Sequence, residues 1–424
     1  MTTSKVGAAA HPGVALREEY MKRTNKKFAP VLLTAAFAIG LVACGGDDEG
    51  GESSSTEAPA TEAPATEAPA GSDAPSEGPV VVDCAPDEGP LKAAWVYVGP
   101  TNDGGWTQAH DEARLAVQEH FGDAVETTYK ENVPEGPEVA QTIEDLIADG
   151  NTVIFGTSFG FQDAFVEAAA AHPDVCFEFA TGYMTSDNMA QFYGAAEDTD
   201  YLAGMAAGAA SATGKLGYLA SFPIPEVVRG ANAWTMGARS MNPEATVKVV
   251  WLNTWFDPAK EKQAAEALIA EGVDVLGQKG VDSPATGDAA SAATGVLWTG
   301  YNTDQSANYP SVWLTATTYH WDVYEIPRIQ QVLDGTWTSG NYYGNLADGF
   351  VKLAPYGDSV SAETRAAIDA RLEDLKAAPG SQFTGPIKDN QGNEVLAEGV
   401  THTFDELMSM AYLVEGIDGE IPAS

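Results

Sequence analysis

Leu91-Lys92-Ala93-Ala94-Trp95-Val96-Tyr97-Val98-Gly99 runs into Pro100-Thr101-Asn102-Asp103-Gly104-Gly105 and then into Trp106-Thr107-Gln108-Ala109-His110. A short apolar run, a loop of turn formers and an amphipathic stretch make one strand–helix unit. The spacing predicts a strand over 91–99 and a helix over 106–121. The unit then recurs. Strands are expected over 125–133, 152–158, 175–181 and 189–194, with helices over 138–148 and 163–171. After a small-residue helix over 201–212 the pattern restarts. Strands are expected over 215–222, 247–253, 273–278, 296–301 and 312–318, with helices over 226–241 and 258–270. Beyond 318 the pattern predicts a helix over 324–333, a strand near 350–353 and a helix over 362–375. Strand–helix alternation of this kind implies a parallel sheet covered on both faces. The expected fold is α/β, two doubly wound parallel-sheet lobes with a ligand cleft between them. Residues 91–197 make the first lobe, with a return segment at about 319–345. Residues 198–318 make the second, with a C-terminal segment at about 346–424.

In open α/β sheets ligands bind beyond the carboxyl ends of the strands, so the loops there are the ones to inspect. The first carries Asp103, a Gly-Gly pair and Trp106. The glycines let backbone approach a ligand, but the three-glycine spacing of a dinucleotide fingerprint is missing. Trp106 offers a flat surface and one donor, and its place at a strand end favours ligand contact over a core role. After the third strand, Phe159 and Phe161 bracket Gly160, whose N–H could face the cleft, and Asp163 is either a ligand acceptor or a helix cap. In the second lobe Pro225 closes one strand-end loop and Trp255 lies in the next, expected opposite Trp106. Asp257-Pro258 fits an N-cap followed by N1 of a helix. Asp282 and Asp304 end the next two units. An aromatic cleft with a few acids suits a flat, hydrogen-bonding ligand held by stacking. No nucleophile elbow and no metal-ligand spacing of histidines is present, so neither an enzyme nor a metal or other cofactor is expected. His110-Asp111 reads as a pair on a helix surface.

The N-terminal region has its own pattern. Lys22, Arg23, Lys26 and Lys27 precede an apolar run over 28–43, too short for a comfortable membrane span, which ends in Leu41-Val42-Ala43-Cys44. This order resembles the lipobox of bacterial lipoproteins, with Cys44 as the lipid carrier; the alternative is an ordinary secretory signal with a chance cysteine. Met21 is the expected start, because 1–20 put Glu18 and Glu19 ahead of the basic region. Residues 1–44 are thus extension and signal peptide. Residues 45–90 read as a tether, with three tandem Thr-Glu-Ala-Pro-Ala copies over 56–70 and little apolar surface to offset ordering entropy. The expected place is the outer face of a cell membrane, held by a lipid anchor only.

The formal net charge of −39 repels nucleic acid and anionic membrane surfaces. Of three cysteines, Cys84 and Cys176 remain after Cys44 and could bridge at one end of a sheet; the alternative is two free thiols.

Longer strings then carry a resemblance over nearly all of 91–415. They include Gly104-Gly105-Trp106-Thr107-Gln108-Ala109-His110-Asp111, Phe155-Gly156-Thr157-Ser158-Phe159-Gly160 and Trp255-Phe256-Asp257-Pro258-Ala259-Lys260-Glu261, with Phe383-Thr384-Gly385-Pro386-Ile387-Lys388-Asp389 near the end. In them the chain resembles the basic membrane protein family of ABC-transporter substrate-binding lipoproteins, which includes purine nucleoside receptors. The resemblance implies a type I periplasmic-binding-protein fold, a membrane permease as partner, and a purine held between Trp106 and Trp255. It also implies base contacts from the loop at 159–163. The acid that clasps ribose in nucleoside binders falls on Asn302, with Asp304 near, and the lysine falls near Tyr319 or His320. These departures weaken a ribose clamp, and Trp106 in the first loop with Trp255-Phe256-Asp257-Pro258 in the second resembles nucleobase binders, adenine in particular, so a free base is expected before a nucleoside. A monomer is expected. A surface sensor on the same scaffold and, further off, an exported nucleoside-acting enzyme are the other readings.

Overall fold

The computed structural model describes residues 80–422. Cys44, Met21 and most of the tether lie outside the described residues. The first strand, β1 (Leu91–Val96), is buried along nearly its whole length, as a strand covered on both faces must be. It lies between β2 (Val125–Lys130) and β3 (Val153–Gly156), both parallel to it. β4 (Cys176–Ala180) and β5 (Met189–Gly194) extend the sheet on the β3 side. The sixth strand arrives from far along the chain: β11 (Asn341–Gly344) pairs parallel with β5. The order is β11-β5-β4-β3-β1-β2. Helices α1 (Trp106–Phe121), α2 (Glu138–Ala148) and α3 (Gln162–Ala171) make the crossovers.

The second sheet has the order β12-β10-β9-β8-β6-β7-β15. Its parallel part runs through β6 (Lys215–Ala220), β7 (Thr246–Trp251), β8 (Val275–Lys279), β9 (Leu297–Asn302) and β10 (Trp313–Tyr319). One edge is the antiparallel β12 (Val351–Leu353), and the other is the short β15 (Ile417–Asp418). Helix α4 (Ala196–Ala210) precedes β6, and α5 (Pro225–Met241) follows it. These two helices approach very closely. A Cβ at Gly204 or Gly208 would strike the carbonyl of Trp234 or Ala238 on α5. Helices α6 (Pro258–Ala270) and α7 (Ala285–Ala292) complete the crossovers.

The chain after β10 returns to the first sheet through α8 (Asp322–Leu333), then crosses back to β12, α9 (Ala362–Ala377), the β13–β14 hairpin (Ile387–Lys388 and Glu394–Leu396) and the short α10 (Phe404–Met408). The return is fastened by a buried carboxylate on β4. Glu178, with no exposed surface, accepts from Tyr324 Oη at 2.6 Å, Arg328 Nε at 2.6 Å and Trp337 Nε1 at 2.7 Å.

Several element boundaries differ from the sequence reading. α4 starts at Ala196, five residues before the expected 201, because its first turn is acidic and looks like loop. α7 and β11 were not expected at all. The end assigned to the tether is also part of the body: Val82 N donates to the Trp337 carbonyl, and Cys84 is buried and joined to Cys176 by a disulfide with a Cα–Cα distance of 5.9 Å.

Candidate functional site

The carboxyl ends of the two sheets face each other, and the loops there are built from unusual backbone. Thr181 after β4, Asn253 after β7 and Asn302 at the end of β9 all have positive φ, at 64°, 50° and 71°. Asparagine tolerates this region and threonine does not, so Thr181 carries strain on the order of 1–3 kcal/mol. Gly280, after β8, has φ of 68°, and a Cβ there would press on Ser221 and on the Trp255 ring.

Trp106 opens α1, and its Nε1 donates to the Thr157 carbonyl at 2.6 Å, which fixes the indole across the end of β3. Behind it the rings of Trp321 and His110 meet it edge-on, at 5.1 and 4.8 Å. Trp255 leans on Phe222 at 4.8 Å, and its buried Nε1 has no hydrogen-bond partner among the described residues. Both tryptophans line one small cavity of about 30 Å³, together with Phe159, Glu226, Asp282 and Tyr301 among others. Asp282 is buried and accepts from Asn302 Nδ2 at 2.9 Å. Burial, with Asp103 and Glu261 nearby, pushes its carboxyl well above the usual carboxylate range. Glu226, in the first turn of α5, accepts from Tyr193 Oη, which also meets Tyr319 Oη at 2.7 Å.

The two lobes touch here. The Gly104 carbonyl accepts from Thr303 Oγ1 at 2.6 Å and from Gln305 Nε2 at 3.0 Å. A Cβ on Gly105 would fall on the Asp282 carbonyl, so only glycine lets the loops meet. The cleft is shut.

Of the residues singled out from sequence, Trp106, Trp255, Phe159 and Asp282 come together. The others do not. Asp103 accepts from the N–H groups of Gly105, Thr107 and Gln108 at 2.8–3.0 Å, so it caps α1. Phe161 has no exposed surface and packs in the core behind the sheet. The Gly160 N–H donates to Glu135 and is turned from the cleft. Asp163 is exposed on α3, and Pro225 is the first residue of α5, one place before the carboxylate that lines the cleft. Asp304 is exposed and accepts from Ser306 N. Asp257 does cap α6, accepting from Lys260 N. His110 is fully buried, not on a surface; it stacks on Trp321 at 4.0 Å, and burial lowers its pKa well below the usual value. Lys279, the last residue of β8, is buried against Asp200 at 2.8 Å. Sequence reading missed Tyr193, Tyr301 and the role of Glu226. Only Glu226 left a signal, a carboxylate at a helix start directly after a strand.

Two parallel-sheet lobes that shut on an aromatic, acid-bearing cleft define a solute-binding receptor. The chain belongs to the family described as ABC transporter substrate-binding protein PnrA-like, whose model matches residues 91–377. Such proteins bind a small molecule outside the cytoplasm and present it to a permease. The chain is 41% identical to a purine-binding protein of Brucella abortus over 332 residues, 78% of this chain and 94% of that one. It is 40% identical to a candidate ABC transporter glucose-binding protein of Haloferax volcanii over 340 residues, 80% of this chain and 83% of that one. Among solved structures, an ABC transporter solute-binding protein from Aeropyrum pernix has a TM-score of 0.60 at 17% identity, covering 77% of this chain and all of that one. That likeness bears on the fold, which is that of type I periplasmic solute-binding proteins. Among the described residues no helix is long and apolar enough to cross a membrane.

Proposed function

We propose that this is a lipid-anchored receptor of an ABC importer whose cleft takes a purine, a free base such as adenine before a nucleoside, between Trp106 and Trp255. The observation that carries the reading is that both indoles, one from each lobe, line the same cavity. The polar groups beside them suit a base. Asp282 and Glu226 would pair with the ring nitrogens and an amino group of the base. The ribose-clasping positions are already engaged inside the protein: Asn302 bonds Asp282, and Tyr319 bonds Tyr193. The purine-binding relative from Brucella supports the same reading. A hexose is the second reading, because the Haloferax relative is nearly as similar and sugars also stack on tryptophan beside carboxylates.

Calorimetry with adenine, adenosine and glucose separates these. Stacking is worth about 1–3 kcal/mol per base on alanine substitution, so Trp106→Ala or Trp255→Ala should weaken adenine binding about 5- to 150-fold. Phenylalanine at either place should retain much of the affinity. If neither alanine variant changes binding in a folded protein, the sandwich is wrong; if glucose binds and adenine does not, the ligand class is wrong. Adenosine binding a hundredfold tighter, about 2.7 kcal/mol, would overturn the preference for a base. The order of basic region, apolar run and cysteine supports lipidation at Cys44. Cys44→Ser should move the protein from the membrane fraction and remove acyl label; a variant that stays acylated defeats the assignment.

A further inference from the structure

A row of hydroxyl groups crosses between the lobes at the cleft. Tyr193 comes from β5 of the first sheet, Tyr301 from β9 and Tyr319 from β10 of the second, and Glu226 from the first turn of α5. Tyr193 Oη donates to Glu226 Oε1 and lies 2.7 Å from Tyr319 Oη. Tyr319 is in turn hydrogen-bonded to the Tyr301 hydroxyl. A phenol has one proton to give. Tyr193 gives its own to the carboxylate, so the contact with Tyr319 uses the proton of Tyr319. None is then left on Tyr319 for Tyr301, which must donate its own. The row therefore has one direction, from Tyr301 through Tyr319 and Tyr193 to Glu226, and the carboxylate at its end sets it.

Only the two ends of the row meet the ligand. Tyr301 and Glu226 line the cavity between Trp106 and Trp255, whereas Tyr193 and Tyr319 do not. With its proton directed away, Tyr301 offers that cavity lone pairs alone. Its ring is held in place: Lys279 Nζ lies 4.8 Å from the ring centre, and that ammonium is fixed by Asp200 at 2.8 Å. Glu226 keeps acceptor capacity as well. Arg229, one turn along α5, makes no bond to it among the described residues. Its Nη1 donates to the Leu407 carbonyl and its Nη2 to Tyr343 Oη, while Nε lies 3.2 Å from Glu197 Oε2.

We infer that this one-way row of tyrosines is a specificity filter, which leaves the cleft only acceptors at Tyr301 and Glu226 and so selects an amino-bearing purine over one that carries only oxo groups. The inference rests on the purine reading for its ligand and on the row for its direction. An amino group and a neighbouring ring N–H supply two donors. A 6-oxo group instead brings lone pairs against those of Tyr301, and a buried acceptor left without a donor is strongly disfavoured.

Calorimetry with adenine and hypoxanthine on the full chain reads the filter as a ratio of affinities. Adenine should be preferred at least about tenfold. Tyr319→Phe removes the acceptor for Tyr301 and frees the Tyr301 proton to turn toward the ligand, so the ratio should fall to within about threefold. Tyr193→Phe cuts the row one step nearer the carboxylate, lets Tyr319 donate to Tyr301, and should lower the ratio too, although neither altered hydroxyl lines the cavity. A loss of affinity shared equally by both bases would make the tyrosines packing residues and overturn the inference. So would a full chain that binds the two bases alike or prefers hypoxanthine. If neither base binds and glucose does, the purine reading fails, and the row is read instead with singly deoxyfluorinated glucoses, because fluorine cannot donate. One of them should then bind at least about tenfold weaker than glucose and recover in Tyr319→Phe. No recovery for any of them overturns the filter.

Discussion

A Glu178→Ala protein should unfold at a much lower urea concentration, with about 3–5 kcal/mol of stability lost. Glu178 has no exposed surface, and three donors from the returning chain converge on it: Tyr324, Arg328 and Trp337. Alanine leaves a guanidinium, a phenol and an indole in the interior without their acceptor. The Arg328 guanidinium retains only neutral partners, Gln331 Oε1 and the Thr338 carbonyl. Glu178→Gln keeps the shape and one acceptor oxygen, so it should lose less. The effect should also reach the cleft. α8 carries Glu325, which accepts from Trp95, and it follows Trp321, which backs Trp106. Weaker ligand binding is therefore expected in the alanine variant. Tryptophan fluorescence through a urea series measures the first effect and calorimetry the second. A midpoint within error of the parent would mean that the return segment is held by its apolar contacts alone.

Removing the Cys84–Cys176 bridge should have an effect of similar size. The two cysteines are 92 residues apart, and the chain-entropy model gives a loop of that length roughly 4–5 kcal/mol. The bridge joins the first described segment to β4, next to the place where Thr152 Oγ1 donates to the Cys84 carbonyl at 2.6 Å. A Cys84→Ser, Cys176→Ser double variant should lose most of that energy without losing its ligand, because neither cysteine lines the cleft. Mass mapping of a non-reduced digest should find the two peptides linked. Two freely alkylated thiols, or unchanged unfolding of the double variant, would count against the bridge.

The fold was legible because buried parallel strands read as apolar runs and their crossover helices as amphipathic ones. α1, α2 and α6 have the boundaries that the periodicity predicts. What escaped had weak contrast or depended on distant chain. α7 is Ala-Thr-Gly-Asp-Ala-Ala-Ser-Ala, which has no apolar face to detect. β11 becomes a strand only because β5 offers it an edge from 150 residues earlier in the chain. The cleft divides in the same way. Trp106 and Trp255 stood out as large aromatics in strand-end loops. Tyr193 and Tyr301 lie within strands and look like core until the register turns their hydroxyls toward Glu226 and Tyr319. The acids were harder still, since Asp103 and Asp304 bond local N–H groups. For Asp103 the capping role was missed, whereas Asp163 was weighed as cap against ligand acceptor and proves to be exposed on α3.

The clasp at Gly104 has a consequence in time. Ligand held between the two lobes cannot leave faster than the lobes part, and parting breaks the bonds from Thr303 and Gln305 together. Their rupture rate is then a ceiling on the dissociation rate, whatever the solute. Two solutes of different affinity can share that ceiling, so residence on the receptor is partly a property of a backbone carbonyl that touches neither. A permease that separates these two loops would release cargo without having to compete for it.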